Sequence, residues 1–210
     1  MARMEDILEV YQRPYDARFP VVCYDERPYQ LLQGLAEELP MKPGRAAKVD
    51  YQYRRRGTCC LLAAVEPRGG RRRLEVQPHR GKREYARFMR RLAARYPEAQ
   101  RIILIQDNLN THEPGSFYEY YPAAQARALA QRFEIHFTPK KASWLNMVEI
   151  ELSVLSKQCF GRRMGSIDEL RNEVRGWEKR RNKEQATIGW RFTTERARDK
   201  LQRHYKAVLN

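Results

Sequence analysis

Apolar residues recur along this chain at several spacings, and each spacing predicts its own kind of element. Met4 to Gln12 carries a short helical pattern, which the two prolines of the following RPYDARFP bring to a stop. Val21-Val22-Cys23-Tyr24 is a β-prone run ending at the acidic pair Asp25-Glu26, so it predicts a short buried strand with carboxylates at its C-terminal end. Leu31, Leu32, Leu35 and Leu39 fit a short helix, and a polar loop from Met41 to Lys48 follows. Thr58 to Val65 and Arg72 to Gln77 predict two strands joined by Pro67-Arg68-Gly69-Gly70, whose two glycines are expected to supply the positive φ of a tight hairpin.

From Lys82 to Tyr96 the residues Tyr85, Phe88, Leu92 and Tyr96 fall at helical spacing, with Arg83, Arg87, Arg90, Arg91 and Arg95 opposite them. Arg101 to Gln106 is a continuous apolar run, the signature of a strand buried on both faces, and it stops at Asp107. An aromatic loop, Phe117 to Tyr121, leads to an alanine-rich helix from Ala123 to Arg132, a strand from Glu134 to Phe137 and a helix from about Leu145 to Cys159. This order predicts an α/β fold, a mixed sheet with helices on both faces. Ser166 and Glu169 form a capping box before Ile167, Leu170, Val174 and Trp177, and a last helix is expected from about Thr194, with Ala197, Leu201 and Tyr205 on one face. Between them Ile188, Trp190 and Phe192 alternate, as in an extended segment pinned to a core. The pattern divides the chain into a helix and linker (1–18), the α/β domain (19–163) and a helical extension (164–210).

Composition narrows the partner more than the chemistry. A content of 42% hydrophobic residues in 210 can build a sizeable core. No run is long and apolar enough for a membrane span, and MARMEDILEV lacks the apolar stretch of a signal peptide, so a cytoplasmic protein with no membrane partner is expected. Cys23, Cys59, Cys60 and Cys159 lack metal-ligand spacing and read as reduced core residues, Cys59 and Cys60 pointing to opposite faces of one strand. A net charge of +15 suits a polyanion, with nucleic acid leading over the other basic classes, because each neutralised phosphate releases counterions.

The candidate chemistry lies in three carboxylates. Two strands that end in an aspartate, followed by a helix with a glutamate near its start, would gather oxygen ligands at one sheet edge, where open α/β sheets bind their ligands. Magnesium prefers such ligands, and two ions can serve an in-line displacement at phosphorus. Taken singly, Asp25 and Asp107-Asn108 are ordinary turn residues. Asn146 to Glu149 likewise has capping-box spacing.

The joint pattern is more specific. VVCYDE, IILIQDNLNTH and TPKKASWLNMVEIELSVLSKQCF resemble the three catalytic motifs of the DDE transposases, in particular the bacterial insertion-sequence family six-thirty, relatives of the mariner superfamily. DYQYRRRGTCCLLAAVEPRGG and IGWRFTTERARDKL extend the resemblance over nearly the whole chain. It implies a ribonuclease-H-like fold and a cut-and-paste reaction on DNA, in which water cleaves at the element end and the freed 3′ hydroxyl then attacks target DNA. It also implies two divalent ions, Mg2+ or Mn2+, on Asp25, Asp107 and Glu149, and self-association in a synaptic complex.

Glu149 is preferred over Glu151, because two steps along a helix turn a side chain by roughly 200°. Glu26 points off the opposite strand face and reads as structural. Asn108 and His112 are expected just behind the ligands, His112 donating to a phosphate or to a ligand carboxylate, and Arg54, Arg55, Lys140, Lys141, Trp144 and Asn146 are expected to touch DNA. The chain departs from the family in leaving 41 residues between Asp107 and Glu149, with Glu113 to Tyr121 as the expected insertion. It also shows no helix-turn-helix before the catalytic motifs, so the chain reads either as one product of a split gene, with a separate helix-turn-helix polypeptide to recognise terminal repeats, or as a truncated copy. Two rival readings stay open: an inactive remnant that binds DNA, and another ribonuclease-H-like nuclease such as a resolvase.

Overall fold

A computed structural model describes residues 1–35, 41–45 and 52–203. Their alternating apolar positions build one five-stranded sheet in the order β3-β2-β1-β4-β5. Strands β1 (Val21–Gly34), β2 (Tyr53–Glu66) and β3 (Arg71–Gln77) form an antiparallel meander. Strand β4 (Ile102–Gln106) lies parallel to β1, and β5 (Phe133–Phe137) parallel to β4.

Strict side-chain alternation gives the sheet two cores. On one face Cys23, Leu61, Ala63, Ile103 and Ile105 pack against α1 (Ala2–Gln12), α5 (Val148–Cys159) and α6 (Ile167–Lys183). On the other face Val22, Tyr24, Leu62 and Leu104 meet α2 (Lys82–Ala93), α3 (Gly115–Tyr118) and α4 (Ala123–Gln131). Cys59 belongs to the first core and Cys60 to the second, both as free thiols. Helix α7 (Thr194–Lys200) is capped by the Thr193 hydroxyl, and Trp190 before it packs its ring on Tyr11 at 5.2 Å. The Ser166 hydroxyl caps α6 as its spacing predicts, and Glu169 answers by accepting from the Gly165 amide.

Three local expectations need correction. Strand β1 does not stop at Tyr24 but runs 14 residues to Gly34, paired with β2 from Cys23↔Val65 to Gly34↔Tyr53. Leu31 and Leu32 are therefore in a strand rather than a helix, because long-range pairing outweighs a weak local periodicity. Leu39, the last three residues of the expected polar loop (46–48) and Tyr205 lie outside the described residues. Of the two turn glycines only Gly70 has positive φ, +63°, and a Cβ there would meet the Gln185 backbone at 2.5 Å. Part of the aromatic loop closes into α3, which buries Phe117 in the second core.

Candidate active site

Parallel pairing sets the first two carboxylates side by side. Val21 pairs with Ile103, Val22 with Leu104 and Cys23 with Ile105, and the same offset carried two residues further matches Asp25 to Asp107. Both then share the sheet face that carries Cys23 and Ile105, the face α5 covers. On the β4 side, pairing of β1 ends at Cys23. Asp25 thus leaves that ladder just as a strand end would, even though β1 continues along β2.

The third carboxylate is brought in by two ties at the start of α5. The Tyr11 hydroxyl donates to the Leu145 carbonyl at 2.7 Å, fixing the turn Ser143–Leu145 onto α1. The Asn146 side-chain amide donates to the Tyr24 carbonyl at 2.7 Å, one residue before Asp25. Asn146 is 1% exposed, so it is a buried strap and not the DNA contact expected from sequence. Nor does it cap α5 with its side chain. Glu149 is thus free of capping duty and lines, with Asp25, an open groove between β1 and α5 that continues past Arg27, Ser153, Ser156 and Lys157. Further along, Arg27 donates to the Ser156 hydroxyl at 2.7 Å and holds the strand and helix together.

Glu151 faces elsewhere. It is 4% exposed, lies 3.0 Å from Arg72 Nε and accepts from Arg181 at 2.9 Å. Arg72 is accordingly a buried ion-pair partner.

Behind Asp107 stands His112. Its Nδ1 is 2.5 Å from Asp107 Oδ1, its Nε2 is 3.1 Å from Glu26 Oε1, and its ring stacks on Tyr85 and meets Tyr24 edge-on. Gln106 holds the loop by donating to the His112 carbonyl at 2.6 Å. Burial opposes charge on this ring, but the Asp107 and Glu26 carboxylates outweigh it and push the pKa up to about 9. The buried ring is therefore placed to hold a carboxylate and not a phosphate. Glu26, read from sequence as merely structural, is the second acid on this imidazole. The Tyr24-x-Glu26 spacing on one strand face was its only sequence signal.

Asp25 has its carboxyl pushed up to about 6, first by burial and further by the charges of Asp107 and Glu149, against a hydrogen bond from the Glu26 amide. Among the described residues no three His, Cys, Asp or Glu side chains are already drawn tightly enough together to enclose an ion. The donor chemistry nevertheless fits a hard divalent cation: all-oxygen ligands, one of them half-buried and raised by desolvation and by its neighbours' charge, the latter of which a cation would relieve. Of the remaining candidates, Arg54, Arg55, Lys140, Lys141 and Asn108 are exposed, and Trp144 is 48% exposed with its ring edge-to-face against Phe192. Lys141 turns the chain with φ of 62°, a left-handed conformation uncommon for a side-chain-bearing residue.

A family model described as DDE superfamily endonuclease matches residues 20–171. No curated protein sequence matches. Among solved structures, the Mos1 mariner paired end complex with Mn superposes with a TM-score of 0.58 at 17% identity, covering 88% of this chain and 56% of its own. For the Mos1 strand transfer complex the values are 0.55, 16%, 88% and 56%. For the Mos1 mariner paired end complex with Mg they are 0.54, 15%, 88% and 57%. This chain thus spans little more than half the length of those chains. At such identities the likeness is one of fold, the ribonuclease-H-like mixed sheet with flanking helices.

Proposed function

The chain belongs to the DDE superfamily endonucleases, and from that premise we propose that it is the catalytic part of a transposase that cleaves DNA at element ends and joins them to target DNA. Asp25, Asp107 and Glu149 act together at the scissile phosphate. The observation that carries this is that the Asp107 and Glu149 charges both act on the Asp25 carboxyl, with Glu149 lining the same groove as Asp25 and Asp107 following the strand that pairs in parallel with β1.

In this reading Asp25, Asp107 and Glu149 would hold two divalent ions, Mg2+ or Mn2+. Bound there, the ions would activate the attacking oxygen and stabilise the leaving one. The chain's own residues supply the rest. His112 and Asn108 support Asp107, and Asn146 and Tyr11 fix the helix that carries Glu149. Arg27 and Lys157 hold the phosphodiester backbone in the groove, and Arg54, Arg55, Lys140, Lys141 and Trp144 contact the flanking DNA. The attacking oxygen is that of water in the first step and of the freed 3′ hydroxyl in the second. In each, a bond to phosphorus forms as the opposite P–O bond breaks.

The likeness to paired end and strand transfer complexes supports the further reading that the chain works on DNA as a self-associated synaptic complex, and the motif resemblance alone suggests an insertion sequence in a bacterial nucleoid. A separate helix-turn-helix module would supply recognition of the ends. The described residues include no helix long and apolar enough to cross a membrane.

The test is nicking of duplex DNA by the purified chain with Mg2+ or Mn2+, beside Asp107→Asn. The variant keeps the side chain's shape but loses a charged ligand, so its cleavage should fall by roughly two to three orders of magnitude, the scale of losing one preorganised stabilising group. DNA binding should persist, because it rests on dispersed cations. Equal nicking by both proteins would remove Asp107 from the site. Metal-independent binding with no nicking by either would favour the remnant reading.

A further inference from the structure

One surface next to the candidate site has a composition that cleavage does not call for. Trp144 stands five residues before Glu149 and is 48% exposed, with its ring centroid 5.4 Å from that of Phe192 at an interplanar angle of 72°. In such an arrangement only one ring offers its face to the other, so aromatic surface stays open to solvent. Phe192 itself lines an open depression with Arg191, Arg196, Asp199 and Lys200. None of the three cations here makes a salt bridge among the described residues, whereas Arg72, Arg73, Arg91 and Arg95 are all paired.

The surface is held firmly. The Ile188 amide donates to the Pro67 carbonyl at 2.8 Å, Trp190 packs on Tyr11 and donates to the Phe192 carbonyl at 2.7 Å, and the Thr193 hydroxyl caps the helix that carries Arg196. On the other side, Lys140 and Lys141 precede Trp144 by four and three positions and are exposed. A pair of anchored aromatic rings flanked by unpaired cations is the composition that takes single-stranded nucleic acid: the rings stack on bases and the cations follow the phosphates. Paired bases in a duplex already stack on one another, and a duplex backbone asks only for cations, such as those of Arg54 to Arg56.

We propose that Trp144 and Phe192, flanked by Arg191, Arg196 and Lys200, form a stacking platform for an unpaired nucleotide of the DNA strand being cut or joined. The C-terminal extension is then part of the DNA site and not only a packing element. This rests on the transposase reading, since it takes DNA near Glu149 as the ligand.

The experiment compares the full chain's affinity for a blunt duplex with that for the same duplex bearing a short single-stranded overhang, both without metal. The parent should bind the overhang substrate more tightly, and Trp144→Ala should lower that affinity by about tenfold. The ratio between the two substrates should fall toward one. Trp144→Phe should retain most of the preference, and Arg196→Gln should weaken overhang binding and lower its salt dependence. Unfolding midpoints check that the variants are folded; Trp144, being half exposed, is the safer site to truncate. If the parent nicks DNA with Mg2+ yet shows no overhang preference, or Trp144→Ala keeps it, the platform is wrong and the transposase reading survives. Absence of both nicking and DNA binding would take down the two together.

Discussion

The Asp25 carboxyl is the most informative single group in the molecule. Burial and the charges of Asp107 and Glu149 push it up to about 6, above the ordinary aspartate range. Metal ligation needs the carboxylate, so protons compete with the ion wherever the group is protonated. A raised pKa puts that competition below about pH 6 and leaves affinity nearly level above it. Titration calorimetry with Mn2+ should show affinity falling by about tenfold per pH unit below pH 6. A flat profile between pH 5 and 8 would mean that Asp25 is not a ligand. Such an interplay between residues distant in sequence lies beyond the reach of sequence alone. The acids themselves were legible there because each follows a β-prone run or opens a helix. For His112 the sequence left phosphate and carboxylate both open as partners, and its contact with Glu26 depends on a loop folding back over Tyr24 and Tyr85.

Helix α5 separates two glutamates by role. Glu149 lines the groove with Asp25, while Glu151 pairs with Arg72 and Arg181 inside the protein. Replacing Glu151 by Gln leaves the buried Arg72 charge uncompensated, which costs about 3–5 kcal/mol in comparable pairs. Glu149→Gln removes charge from a half-exposed position beside two other acids, so it should leave the unfolding midpoint unchanged or raise it. Thermal unfolding of both variants measures this; equal midpoints would place Glu151 outside any structural pair. The helical turn between the two residues made this division readable from sequence, but the partners did not, since Arg72 lies on a strand far away in the chain. The length of β1 was hidden for a similar reason. The leucine spacing that begins at Leu31 and Leu32 imitates a helix, and pairing with the start of β2 overrides it through Gly34. Where an element is set by its own periodicity, as in α2, β4 and α6, sequence and structure agree to within a few residues.

At the scale of the whole molecule the candidate site depends on assembly: the β1–β4 register, continued two residues past Cys23 and Ile105, sets Asp25 opposite Asp107, and α1 and β1 together fix the helix that carries Glu149. The charge of +15 surrounds these acids with cations that attract DNA, while the acids ask for divalent ions. The most direct test is anomalous diffraction from crystals of the chain grown with DNA and Mn2+. The account predicts two Mn2+ peaks about 3.5–4 Å apart, ligated by Asp25, Asp107 and Glu149, with Glu151 still bound to Arg72. A manganese ion held by Glu151, or a DNA-bound chain with no peak between Asp25 and Asp107, would contradict it.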